Sequence, residues 1–168
     1  METTLALVTC GPNLEVALFG GSMRTPSVVR LGGVSARSHL LMAAVDLVVE
    51  DAGIEPRDLA RVAVTRGPGS FTGIRSGLAT AAGLRSALGS RILPFDSLPA
   101  QAMRLGRDGE VWAAQPGRRG EVYGRRFALE AGRPLDGVPG LALPGDDGTA
   151  RCTTPRPLVT DLDGLPLP

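Results

Sequence analysis

The sequence predicts an α/β fold built on a mixed sheet with an antiparallel start. Three observations carry that expectation. Short β-prone runs open the chain at 5–10, 14–19 and 28–31, separated by turn signals. The apolar spacing then becomes helical over 38–53. Further on, a glycine-rich bend at 67–73 joins a buried-type strand to a long second helix. The resulting order, β-β-β-α-β-α-β-α-β-β, is that of a sheet flanked by helices.

"LALVTC" and "LEVALF" flank "GPN", a strong turn signal, and "GGSMRTPS" leads into "VVRL". In "SHLLMAAVDLVVEDAG", Leu41, Ala44, Val45 and Val48 recur at helical spacing while Asp46, Glu50 and Asp51 lie off that stripe. Gly53 supplies the stop. The next strand holds Val62, Ala63 and Val64, a continuous run of the kind parallel sheets bury on both faces. The second helix starts near Ser70 or Thr72 and runs to Leu88, with Gly89 as its stop. "RILPF" (91–95) is a strand, and "SLPAQAMRLG" (97–106) a short helix with Pro99 in its first turn. "GEVWAAQ" (109–115) and "EVYGRRFAL" (121–129) form a strand pair joined by "PGRRG". Residues 132–168 contain 6 glycines and 7 prolines, and this composition predicts a loop-rich tail. The expected division is a first lobe over 1–95 and a reduced second lobe over 96–168.

Composition excludes several function classes. A chain of 168 residues can bury roughly 68–70% of its unfolded surface. A net charge of +1 makes no electrostatic case for nucleic acid or membrane, and 4% aromatics leave few platforms for stacking bases. Cys10 and Cys152 are in no metal-ligand spacing and are expected to be reduced thiols. The amino terminus has neither a basic region nor a long apolar one, so no signal peptide is expected and the cytoplasm is the expected location.

A strand, glycines and a helix start can hold a phosphate on unpaired N–H groups. Here the stretch is Arg66, Gly67, Pro68, Gly69, Ser70, Phe71, Thr72, Gly73, Ile74 and Arg75. It fails the nucleotide-loop pattern because Ile74, not lysine, follows Gly73. It also misses the dinucleotide spacing by one residue between Gly69 and Gly73. The other reading is a strand-to-helix turn with a Ser or Thr cap. Within the helix, Gly73, Gly77 and Ala81 make a stripe of small residues. A helix-interior glycine costs about 0.8–1.0 kcal/mol relative to alanine, so something approaches closely there. Core packing against the sheet and a contact with a partner helix both satisfy that requirement.

No catalytic constellation assembles. His39 is the single histidine, so a histidine-rich metal site is excluded. A thiol nucleophile at Cys10 would need His39 as its base. Asp161 and Asp163 match only a fragment of a calcium loop.

"VTRGPGSFTGIRSGLATAAGLRSALG" (64–89) strongly resembles the TsaB family, also called YeaZ. The opening strands, the apolar helix 39–52, "ILPFDSLPAQA" and "RRGEVYGRRF" (118–127) agree with it, and the resemblance spans about 1–130. It implies an actin/Hsp70-like superfold of two lobes and a non-catalytic subunit in making threonylcarbamoyladenosine next to the tRNA anticodon. The implied partners are the enzyme TsaD, a nucleotide-driven ATPase TsaE, and a second copy of the chain. Contact with tRNA is implied only through the complex, and no cofactor or metal is implied. On this basis Leu41, Ala44, Val45 and Val48, with Gly73, Gly77 and Ala81, are the expected partner surface.

The sequence departs from the family pattern in four places. Val8-Thr9-Cys10 stands where Asp-Thr-Ser is usual, removing a carboxylate that could hold a magnesium-bound phosphate. Pro116-Gly117-Arg118 replaces Asp-Ala-Arg. Arg37 or His39 lies near the place of a usual histidine, and a closing helix in the second lobe is missing. The rival readings are a nucleotide-binding kinase or ATPase of the same superfold, a metal-type peptidase, and a divergent paralogue without a partner.

Overall fold

The computed structural model describes residues 1–32, 38–106, 108–116, 122–134, 150–152 and 160–161. Arg37, residues 117–121, Asp163 and most of the tail therefore lie outside the described residues. The chain divides into two compact units, Met1–Phe95 and Asp96–Pro168.

The first unit contains strands β1 (Thr4–Val8), β2 (Leu14–Phe19), β3 (Ser27–Leu31), β4 (Arg61–Thr65) and β5 (Arg91–Phe95). Helix α1 (Leu41–Ala52) follows a 3-10 turn at Ser38–Leu40, and α2 (Phe71–Leu88) connects β4 to β5. The sheet order is β3-β2-β1-β4-β5. The opening meander is antiparallel, and β1, β4 and β5 run parallel. The register explains why one face is the core. Leu5 and Leu7 stand level with Leu18 and Val16 on one side and with Val62 and Val64 on the other. All six are fully buried under the two helices. Each such side chain contributes roughly 1.5–3 kcal/mol by leaving water. The intervening positions Ala6, Ala17 and Ala63 point to the opposite face.

Local signals set the helix ends. Gly53 takes the left-handed conformation (φ 62) and donates to the Glu50 carbonyl, while the Ile54 N–H reaches Val49. Ser27 Oγ donates to Asp51 Oδ2 at 2.6 Å, tying β3 to the last turn of α1. Gly89 (φ 75) closes α2 by donating to the Arg85 carbonyl.

The second unit contains α3 (Ser97–Met103), the antiparallel pair β6 (Gly109–Pro116) and β7 (Val122–Glu130), and short strands β8 (Arg133–Pro134), β9 (Ala150–Cys152) and β10 (Thr160–Asp161). Its sheet runs β10-β6-β7-β8, with β9 also on β7. Leu98 and Ala102 of α3 pack on Val111, Ala113, Phe127 and Leu129. The tail is not loop alone, since β9 and β10 come from it. Strands of two and three residues are too short to display an alternating pattern.

Candidate functional site

The bend between β4 and α2 is fixed to the end of β1. The β1–β4 ladder stops at Leu7 and Val64, and the buried Thr65 hydroxyl takes over. It accepts from the Thr9 N–H at 3.2 Å and donates to the Leu7 carbonyl at 3.4 Å. This holds Thr9 and Cys10 beneath the start of α2. The Ser70 N–H donates to the Cys10 carbonyl at 2.8 Å, and the Arg66 N–H to the Phe95 carbonyl at 2.9 Å. The Gly67–Pro68 peptide is cis, and Gly67 (φ 110) and Gly69 (φ 145) occupy conformations that favour glycine. A side chain on Gly69 would also strike the Cys10 carbonyl. Ser70 caps the helix, its Oγ accepting from the Gly73 N–H at 3.2 Å.

Chemically, the bend is directed inward. Two of its amides, those of Ser70 and Gly73, are engaged by the chain itself. In the Val8-Thr9-Cys10 segment it is the Cys10 backbone carbonyl that accepts from the bend. Ser70→Ala should accordingly cost about 1 kcal/mol of stability, measured by urea unfolding, because it orphans the Gly73 amide. Cys10 is 1% exposed beneath this turn, where no substrate reaches it, while His39 is exposed in the 3-10 turn. Among the described residues no group of three His, Cys, Asp or Glu could hold a metal ion. Asp161 lies in β10. No helix among them is long and apolar enough to cross a membrane.

The expected partner surface needs correction. Leu41, Ala44, Val45 and Val48 are between 0% and 4% exposed and pack on the chain's own sheet. Gly73, Gly77 and Ala81 face the same way. A methyl on Gly73 would collide with the Thr9 carbonyl, and one on Gly77 with the Thr9 hydroxyl and Val64. The small stripe thus lets α2 lie directly on Thr9, just past the end of β1, and on Val64 of β4. None of these seven residues is available to a partner, because each is already covered by the fold.

The outward faces of the same helices carry different residues. Met42 and Leu47 are exposed on α1, and Phe71 and Leu78 on α2, with the Arg75 guanidinium 5.4 Å from the Phe71 ring centroid. Ala79, Ala82 and Gly83 share the exposed side of α2. Leu78 and Ala82 lie beside the small stripe, and the helix turns both to solvent. A methyl at Gly83 would meet nothing within 4 Å, so no contact among the described residues explains a glycine there. Sequence carried one usable signal for this face. Gly83 is a helix-interior glycine that does not belong to the Gly73/Gly77/Ala81 stripe.

Comparison with known proteins places these features among relatives. A family model described as TsaD, tRNA N6-adenosine threonylcarbamoyltransferase, matches residues 24–139. An uncharacterized protein of Mycobacterium tuberculosis is 34% identical over 159 residues, covering 86% of this chain and 72% of the relative. The tRNA threonylcarbamoyladenosine biosynthesis protein TsaB of Haemophilus influenzae is 31% identical over 126 residues, 72% of this chain and 52% of that protein. Among solved structures, YeaZ from Pseudomonas aeruginosa superposes with a TM-score of 0.71 at 26% identity, covering 100% of this chain and 71% of that one.

Proposed function

The chain belongs to the TsaB (YeaZ) family and shares the α/β fold of YeaZ, and from that premise we propose that it is a non-catalytic subunit in threonylcarbamoyladenosine biosynthesis on tRNA, built on the family's actin/Hsp70-like superfold. Its work is to bind a TsaD-type catalytic subunit through the outward faces of α1 and α2. The observation that carries this reading is the exposed apolar set Met42, Leu47, Phe71 and Leu78 beside an unexplained helix-interior glycine, Gly83. Exposed apolar side chains gain by burial, and a glycine lets a second helix approach within the usual interaxial distance of about 8–10 Å. In the absence of TsaD, a second copy of the chain uses the same faces. A TsaE-type ATPase joins the assembled pair, and tRNA is reached only through the complex. The inward-directed bend speaks against the nucleotide-binding rival, since the chain already uses two amides a phosphate would need.

Co-purification with the TsaD of the same organism, sized by light scattering with and without ATP, tests the reading. The expected result is a 1:1 heterodimer. A self-dimer that ignores TsaD would overturn it in favour of a divergent paralogue, and tight binding of labelled ATP to the isolated chain would favour the kinase-like rival.

A further inference from the structure

The outward sides of the two helices in the first unit carry opposite charge. α1 contains Asp46, Glu50 and Asp51 and no basic residue, whereas α2 contains Arg75 and Arg85 and no acidic one. Asp51 accepts from Ser27. The other four, Asp46, Glu50, Arg75 and Arg85, are exposed, and none of them has an ion-pair partner among the described residues. They are interleaved with the exposed apolar side chains. Met42, Asp46 and Glu50 recur every four residues along α1, and Phe71, Arg75, Leu78, Ala82 and Arg85 at alternating steps of four and three along α2, so each set shares one helix side. α1 lies over β2 and β3, and α2 over β4 and β5, on the same face of the sheet. An acidic side and a basic side therefore stand next to each other on one surface.

We propose that this surface pairs with a second copy of the chain crosswise, α1 of one copy against α2 of the other, with Asp46 and Glu50 facing the partner's arginines on α2. The inference rests on the partner role given above to these helix faces and specifies how they engage. A two-fold interface sets a surface against itself, and two side-by-side helices then allow two arrangements. With the axis running across both helices, α1 meets α1 and α2 meets α2, which opposes acid to acid and arginine to arginine. With the axis running along the helices and between them, each acidic helix meets a basic one. Met42, Leu47, Phe71 and Leu78 gain by burial in either arrangement, so they do not choose between them. Like charges juxtaposed at an interface are disfavoured and opposite charges fix the register, so charge selects the crosswise form.

The test is self-association of the full chain, followed by sedimentation in the wild type and three variants. One carries Asp46→Arg with Glu50→Arg, the second Arg75→Glu with Arg85→Glu, and the third all four changes. Either pair alone sets like charges against each other in both halves of the crosswise interface and should weaken the dimer about tenfold, whereas the quadruple variant should recover the wild-type affinity. Raising the salt concentration should weaken the wild-type dimer and strengthen both paired variants, because screening reduces attraction and repulsion alike. All four side chains are exposed, so the urea midpoints should not change, which separates a lost contact from lost folding. The proposal is overturned if the paired variants dimerise as the wild type does, the result that like-on-like pairing gives. It is equally overturned if the quadruple variant stays as weak as either pair. A wild type that remains monomeric yet co-purifies with a TsaD-type subunit would overturn the crosswise pairing alone and leave the role beside TsaD standing.

Discussion

Gly73→Ala should lower the urea midpoint of the chain by the equivalent of about 3 kcal/mol, the upper end of what one added methyl costs in a packed core. The new Cβ meets the Thr9 carbonyl, which is backbone and cannot swing aside. Thr9 is in turn held by its N–H bond to Thr65, so relief requires α2 to lift from the Thr9–Cys10 segment. The same substitution ten positions later should have the opposite sign. Gly83→Ala adds a methyl to open space, and replacing a helix-interior glycine should stabilise the isolated chain by about 0.8–1.0 kcal/mol. Equal midpoints for the two variants would mean that α2 does not rest on Thr9 as described. The contrast also changes how Gly77 must be tested. Gly77→Leu disrupts packing on Thr9 and Val64, so a loss of partner binding in that variant reports a folding defect.

Leu78→Glu should weaken association with a TsaD-type subunit by about 100-fold, close to 3 kcal/mol, while leaving the urea midpoint within about 0.5 kcal/mol. Leu78 lies on the outward side of α2 and is 38% exposed, so the chain alone loses little when it becomes charged. Placed between two helices, the carboxylate would have to be buried without a partner. Val28→Glu is the control. Val28 is exposed on β3, away from both helices, and should leave the affinity unchanged. If Leu78→Glu binds TsaD normally, the interface does not include α2. If Val28→Glu weakens binding as strongly, the sensitivity is to charge anywhere on the unit and the assignment of the helix faces fails.

Much of the fold is legible along the chain because its signals are local. "LEVALF" and "RILPF" coincide with β2 and β5. The Ser70 cap and the Gly53 and Gly89 stops act through bonds to neighbours within five residues, so they can be read without knowing the fold. The candidate surface was far less legible. Gly73, Gly77 and Ala81 announce a close approach, but spacing along one helix does not say what approaches.

The sequence by itself determined the α/β order, the Gly53 and Gly89 helix stops, the family resemblance and a stripe of small residues on α2 that demands an explanation. Only the tertiary structure decided what answers it. β1 and β4 are separated by more than fifty residues in sequence, yet they pair, which brings Thr9 and Val64 against the Gly73–Gly77 face, whereas a methyl on Gly83 would meet nothing within 4 Å. Helical periodicity fixes which residues share a face, because that is a property of a single helix. Which face turns to the core is settled by strands distant in sequence, whose pairing is selected by the burial of the whole sheet.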